Sequence, residues 1–178
     1  MELWDVYDRN RRKIGKTHVR GVPMAEGEYH IVTDIWTINL EGKLLLTQRH
    51  PNKTFGLWWE CTGGSAQAGE TSLDSVLREL SEEVGIHPRP EEVRLMHSTI
   101  RPDRFVDTYV TVQDVKKEDL KLQKEEVVDA MFITFDEVCE LWGQGRMLPR
   151  ERFPMYRDLL FQEVSQVLKR KAEEEKSF

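Results

Sequence analysis

The apolar residues of this chain change period at one place, a pair of glycines, and that change constrains the fold more than any other feature. Before Gly63 and Gly64 they come in short runs. Tyr29–Ile38 and Lys43–Gln48 flank the turn-like sequence Asn39–Gly42, and Leu57–Glu60 leads into the glycines. Runs rich in β-branched and aromatic residues, bounded by turn formers, predict strands; the first two form a hairpin in which Trp36, Ile38, Leu44 and Leu46 help build a sheet. From Thr71 the spacing becomes helical, with Leu73, Val76, Leu77, Leu80 and Val84 on one side. Thr71 with Asp74 predicts the N-terminal cap of that helix, and Gly85 its end.

Further strands are expected at Val93–Ser98, Phe105–Val112 and Ala130–Thr134. Thr134 is placed to cap a short helix over Asp136–Trp142. A final helix is expected from Met155 to Lys171, with the charged tail Lys169–Phe178 as its fraying end. At the other terminus, Leu3–Tyr7 and Lys13–Thr17 predict a β-hairpin extension over about residues 1–28. Its basic run, Arg9–Lys13, reads as a solvated turn. Mixed strands and helices in this order predict an α/β layered sandwich. A chain of 178 residues suits a single domain over 1–178.

Net charge is −6 with both signs interspersed, so no broad cationic surface points to nucleic acid or a membrane as partner. Cys61 and Cys139 are too few for a disulfide framework and lack zinc-site spacing, which fits a reducing, cytoplasmic setting. The charged N-terminus does not read as a signal peptide, and no apolar stretch is long enough to span a bilayer.

Opposite the apolar stripe of the Thr71 helix lie Arg78, Glu79, Glu82 and Glu83. Glu79 stands three residues from Glu82 and four from Glu83, so the carboxylates can converge. Like charges at this spacing cost only about 0.2–0.5 kcal/mol on an exposed helix, so an ordinary solvated face is one reading. The preceding Thr62–Glu70, rich in glycine, supports another, because it can bring backbone carbonyls to the acidic face. Carboxylates plus a carbonyl form an all-oxygen site for a hard divalent cation, Mg2+ by expectation, with Mn2+ able to substitute. Such an ion acidifies bound water and neutralises charge on a diphosphate.

Gly64, Glu70, Arg78, Glu79, Leu80, Glu82, Glu83, Gly85 and Ile86 fill every specified position of the Nudix box, and the chain therefore resembles that family. The resemblance implies a Nudix-type α/β/α sandwich with a mixed sheet. It also implies hydrolysis of a diphosphate linkage in a small-molecule nucleoside diphosphate derivative. Glu79, Glu82, Glu83 and the Gly63 carbonyl are carried over as metal ligands, Glu82 and Glu83 being counted also as catalytic. Glu70 and Arg78 are implied to fix the loop. The general base is either a box glutamate or one from a later loop, where Glu125 and Glu126 are the candidates and Glu126 is preferred. A homodimer follows by analogy alone.

Outside the box, Trp4–Thr17, Gly27–Arg49 and Gly56–Gly64 resemble isopentenyl-diphosphate isomerases and the Nudix hydrolases grouped with them. An isomerase is thus the rival enzyme, yet Gly63 stands at the isomerase cysteine position and Ser65 at a metal histidine. His30 matches another metal histidine, while Pro23 replaces the one expected seven residues earlier. Hydrolysis is favoured, and a third reading is a nucleotide-binding module without turnover. Thr62 stands where many hydrolases have proline. His30, His50 and Cys61 read as structural, and Trp58 or Trp59 as able to stack on a ring. Specificity is expected from the loops 49–59, 98–105 and 143–153, where Arg49, Lys53, Arg101 and Arg104 are candidate phosphate holders.

Overall fold

The computed structural model describes residues 1–176. It opens with a two-stranded antiparallel hairpin, β1 (Leu3–Tyr7) and β2 (Lys13–Val19). A seven-stranded mixed sheet follows, made of β3 (His30–Asn39), β4 (Leu44–Arg49), β5 (Trp59–Glu60), β6 (Thr62–Ser65), β7 (Val93–Ile100), β8 (Arg104–Gln113) and β9 (Val127–Ile133). Three helices complete it: α1 (Ser72–Val84), α2 (Phe135–Gly143) and α3 (Phe153–Glu175).

β3 is the axis of the sheet, running parallel to β8 from His30↔Arg104 to Asn39↔Gln113. Its other edge is shared: the end near Ile38 pairs with β4, and Val32–Ile35 pair with β6. β4 turns away to pair with β5 and β9. Nearly every residue of β3 is buried because both faces are covered. On one face Ile35, Leu45, Tyr109 and Ala130 pack against Val76, Leu80 and Val84 of α1. On the other, Trp36, Ile38, Leu44, Leu46 and Val110 pack under Val138 of α2 and Phe153, Tyr156, Leu160 and Val164 of α3. Burial of one such side chain is worth about 1.5–3 kcal/mol, so these two apolar layers set the α/β/α order.

The expected elements are present, with differences at their ends. The final helix begins at Phe153 and runs through Glu175, longer than Met155–Lys171; Ser177 and Phe178 of the charged tail lie outside the described residues. The glycine pair belongs to a strand and not to a loop: Gly63 and Gly64 lie in β6, opposite Asp34 and Thr33. The basic turn of the hairpin is also not simply solvated. Arg11, at φ 61°, makes a two-pronged ion pair with Asp107 of β8, a residue 1% exposed. Asp107 accepts further hydrogen bonds from Ser72 and Ser98. Although burial opposes ionisation, these partners hold its carboxyl below the usual aspartate range. One buried carboxylate thus ties the hairpin, β7 and the start of α1 together.

Candidate active site

α1 begins where the sequence places it. Thr71 Oγ1 accepts from the Asp74 N–H at 3.1 Å, and Asp74 Oδ2 accepts from the Thr71 N–H at 3.0 Å, closing a capping box. Gly85 ends the helix at φ 73°, and its N–H donates to Ser81 O. The axis is thereby set so that Val76, Leu80 and Val84 face the sheet and Glu79 faces β6.

At the two glycines of β6, α1 and β3 leave no room for side chains. A Cβ at Gly64 would overlap the Glu79 carboxylate, and one at Gly63 would strike the Thr33 carbonyl. The pair is needed for close approach, with no positive φ involved. Arg78 lies along the same edge. Its guanidinium donates to Glu70 at 2.7 Å, Glu79 at 2.9 Å, Glu82 at 3.1 Å and the Ser65 carbonyl at 3.1 Å. These carboxylates push the Arg78 pKa up. Against the opposing effect of burial, Arg78 and the Gln67 N–H hold Glu70 below the usual glutamate range.

Glu83 does not lie on an ordinary solvated face. The residue is 4% exposed, beside Val84, and its Oε2 has no hydrogen-bond donor among the described residues. Burial, then the fields of Glu60 and Glu79, push its pKa well up. Burial also raises Glu79, helped by Glu82 and Glu2 and opposed by Arg78. The three box carboxylates therefore divide: Glu79 and Glu82 share Arg78, while Glu83 turns inward. No three His, Cys, Asp or Glu side chains among the described residues converge as a ready-made ion cage.

Sequence reasoning overlooked Glu60. It lies on β5 with its carboxylate in the field of Glu83, and burial raises its pKa although Arg49 forms an ion pair at 2.6 Å. The signal was available: on β5 Trp59 faces the α3-side core, so its neighbour Glu60 must face α1. Glu126, the preferred later-loop glutamate, is brought to the same place. Its carboxylate pairs with Lys53, and its field acts on both Glu60 and Glu83; Glu125 is exposed. Arg49 and Lys53, considered as phosphate holders, are thus engaged with carboxylates.

The three loops expected to set specificity meet around one cleft of about 790 Å³. The first contributes Phe55 and Trp58, the second Arg101 to Arg104, and the third Leu148 to Arg152, over a floor of Val32 and Val106. Phe55 and Trp58 form a tilted pair with ring centroids 5.1 Å apart. Cys61 is not at hand for chemistry: it is 4% exposed in the α3-side core, and burial raises its thiol pKa.

A NUDIX domain model matches residues 28–159. The chain belongs to the Nudix hydrolase family. An uncharacterized Nudix hydrolase of Listeria monocytogenes is 39% identical over 151 residues, covering 84% of this chain and 89% of its own. Isopentenyl-diphosphate Delta-isomerase of Escherichia coli is also similar, but at 33% over 70 residues, 38% of each chain. Among solved structures, DR0079 of Deinococcus radiodurans shares the fold with a TM-score of 0.67 at 18% identity, over 82% of this chain and 91% of that one. A bifunctional NMN adenylyltransferase/ADP ribose pyrophosphatase of Francisella tularensis, complexed with AMP and a manganese ion, superposes with a TM-score of 0.54 at 20% identity, over 76% of this Nudix chain and 42% of its own. The match to the family model begins after the hairpin, so β1 and β2 lie outside it.

Proposed function

We propose that this Nudix hydrolase cleaves a phosphoanhydride bond in an organic diphosphate, using Mg2+ or Mn2+ held by Glu79, Glu82, Glu83 and the Gly63 carbonyl. The observation that carries the reading is the buried, donor-less Oε2 of Glu83, within the fields of Glu60, Glu79 and Glu126. A buried carboxylate among others is costly without a cation. The Glu79 carboxylate lies against Gly64, next to the Gly63 backbone, and hard oxygen donors of this kind suit such an ion. When bound, a divalent ion supplies charge neutralisation on the phosphates and a more acidic water.

The chain's own groups have separable tasks. Arg78 holds Glu70, Glu79 and Glu82 in place, so the loop and helix keep one geometry. Glu126, salt-bridged to Lys53, is the group to accept a proton from attacking water once Lys53 engages a phosphate instead. The cleft with Phe55 and Trp58 can receive a planar ring, as an AMP-bound neighbour of the same fold suggests. Isomerisation is disfavoured because Gly63 offers no acid group and Cys61 is buried in the α3-side core.

The test is product release from a panel of nucleoside diphosphate derivatives and prenyl diphosphates, with and without Mg2+ or Mn2+. Metal-dependent cleavage between phosphates is the expected result. Deuterium uptake into isopentenyl diphosphate without cleavage would replace this reading with the isomerase.

A further inference from the structure

The loop that carries the box into α1 is thinly held. Gln67, Ala68 and Gly69 are exposed and Glu70 is half-buried. Among the described residues, every hydrogen bond that reaches residues 67–70 from outside the box comes from β1 of the N-terminal hairpin. The Ala68 N–H donates to the Leu3 carbonyl at 2.7 Å, and the Gly69 N–H donates to Asp5 Oδ2 at 2.9 Å. Asp5 is itself fixed, because the same oxygen accepts from Lys13 of β2 at 2.6 Å. Just past the loop, Ser72 at the start of α1 donates to Asp107, the carboxylate that Arg11 of the hairpin turn grips. The hairpin thus reaches both the loop and the first residue of the helix.

Docking of the hairpin does not account for these bonds. A two-stranded hairpin is marginal by itself and needs an apolar seat, and this one has it. Trp4 stacks on His30 with ring centroids 4.0 Å apart, and Tyr7 joins Tyr29, Ile31, Ala66 and Phe105 in a buried cluster. Backbone bonds of 2.8 and 2.9 Å between Tyr7 and Tyr29 fasten it to the entry of β3. The bonds to Ala68 and Gly69 go instead to exposed residues, so what they restrict is the loop. Behind that loop stands Glu70, which accepts from the Gln67 N–H at 2.8 Å and from Arg78 at 2.7 Å, and Arg78 reaches on to Glu79 and Glu82. A shift at Gly69 is therefore passed through Glu70 to the guanidinium that aims two of the proposed metal ligands.

Resting on the hydrolase reading above, we propose that the N-terminal hairpin is a positioning element of the hydrolytic site, with Asp5 as its positioning residue, acting through Gly69 and Glu70 and not on the substrate. With the loop tethered, Arg78 keeps one orientation and Glu79 and Glu82 are in place before an ion arrives. Groups that orient a metal's ligands from behind are worth about 10–100-fold in metal affinity.

The experiment compares the parent with Asp5→Ala and Asp5→Val, both without an acceptor for Gly69 and the second a strong strand former. Asp5→Asn, which keeps an acceptor there, and Lys13→Met, which removes the ion pair and keeps the carboxylate, serve as controls. Three quantities are measured on the full chain: amide hydrogen exchange of residues 67–70 in EDTA, Mn2+ binding by electron paramagnetic resonance without substrate, and kcat and KM with Mg2+ for the panel diphosphate that the parent cleaves fastest. In Asp5→Ala and Asp5→Val, exchange at Gly69 should accelerate about tenfold while the amides of β2 and α1 keep parent rates. Mn2+ affinity should fall about tenfold, and kcat about tenfold with KM within about twofold. Asp5→Asn and Lys13→Met should stay within about threefold of the parent throughout. Acceleration spread over the whole domain would mark lost stability in place of lost positioning and overturn the inference, as would parent-like Mn2+ affinity in both variants without an acceptor, or Asp5→Asn behaving as they do. If the parent cleaves no compound of the panel, the hydrolase reading falls, while the exchange and Mn2+ measurements, made without substrate, still confirm or overturn the tether.

Discussion

Glu83 shows how much the surroundings of a side chain can depart from what its helical position alone conveys. Helical spacing puts it opposite the apolar stripe; the structure buries it beside Val84, with Glu60 and Glu79 close enough to raise its pKa. Replacing it with the neutral amide, Glu83→Gln, removes a charge whose burial is costly. Without metal the variant is expected to be more stable than the parent by about 1 kcal/mol, measured by urea unfolding in EDTA. Turnover should fall roughly 10³-fold, since several kcal/mol of charge stabilisation are lost with the ion, and Mg2+ should no longer raise the unfolding temperature. Gly64→Ala tests the neighbouring contact. Its Cβ enters the space of the Glu79 carboxylate, so kcat should drop by about 10²-fold from misplacement alone. Circular dichroism should be unchanged, because the substitution leaves β6 paired with β3.

At the scale of elements, α1 owes its position to its two ends more than to its middle. The Thr71–Asp74 box and the left-handed Gly85 were legible in the sequence because capping is local chemistry, satisfied by residues three apart. Thr71→Ala should lower stability by about 1 kcal/mol, seen as a lower urea midpoint with an unchanged slope. The strands were legible from their apolar runs, though Gly63 and Gly64 were not. Glycine gives no strand signal, and what makes β6 a strand is pairing with Val32–Ile35, a segment distant in the chain. The same holds for Arg11, whose partner Asp107 is distant in sequence.

Across the whole molecule, the hairpin packs against the start of β3 through Trp4, and His30 lies in that border. Its imidazole is held neutral by burial and by Arg104, which lower its pKa from 6.5 to about 4, and its Nδ1 has no partner among the described residues. An unfolded chain therefore binds a proton at His30 between those values that the folded chain does not. Stability should fall as pH drops from 6.5 to about 4, by up to about 3 kcal/mol, and that part of the slope should vanish in His30→Gln when the two are unfolded in urea across the same pH series. The amino-acid sequence by itself determined the layered α/β fold, the capped acidic helix and the family, because apolar period, caps and the box spacing are properties of residues near one another in the chain. The tertiary structure alone decided that Glu83 is buried, that the fields of Glu60 and Glu126 reach it, and that three loops meet around one cleft. Those facts depend on which distant segments displace water from one another, and burial of that kind leaves no local pattern.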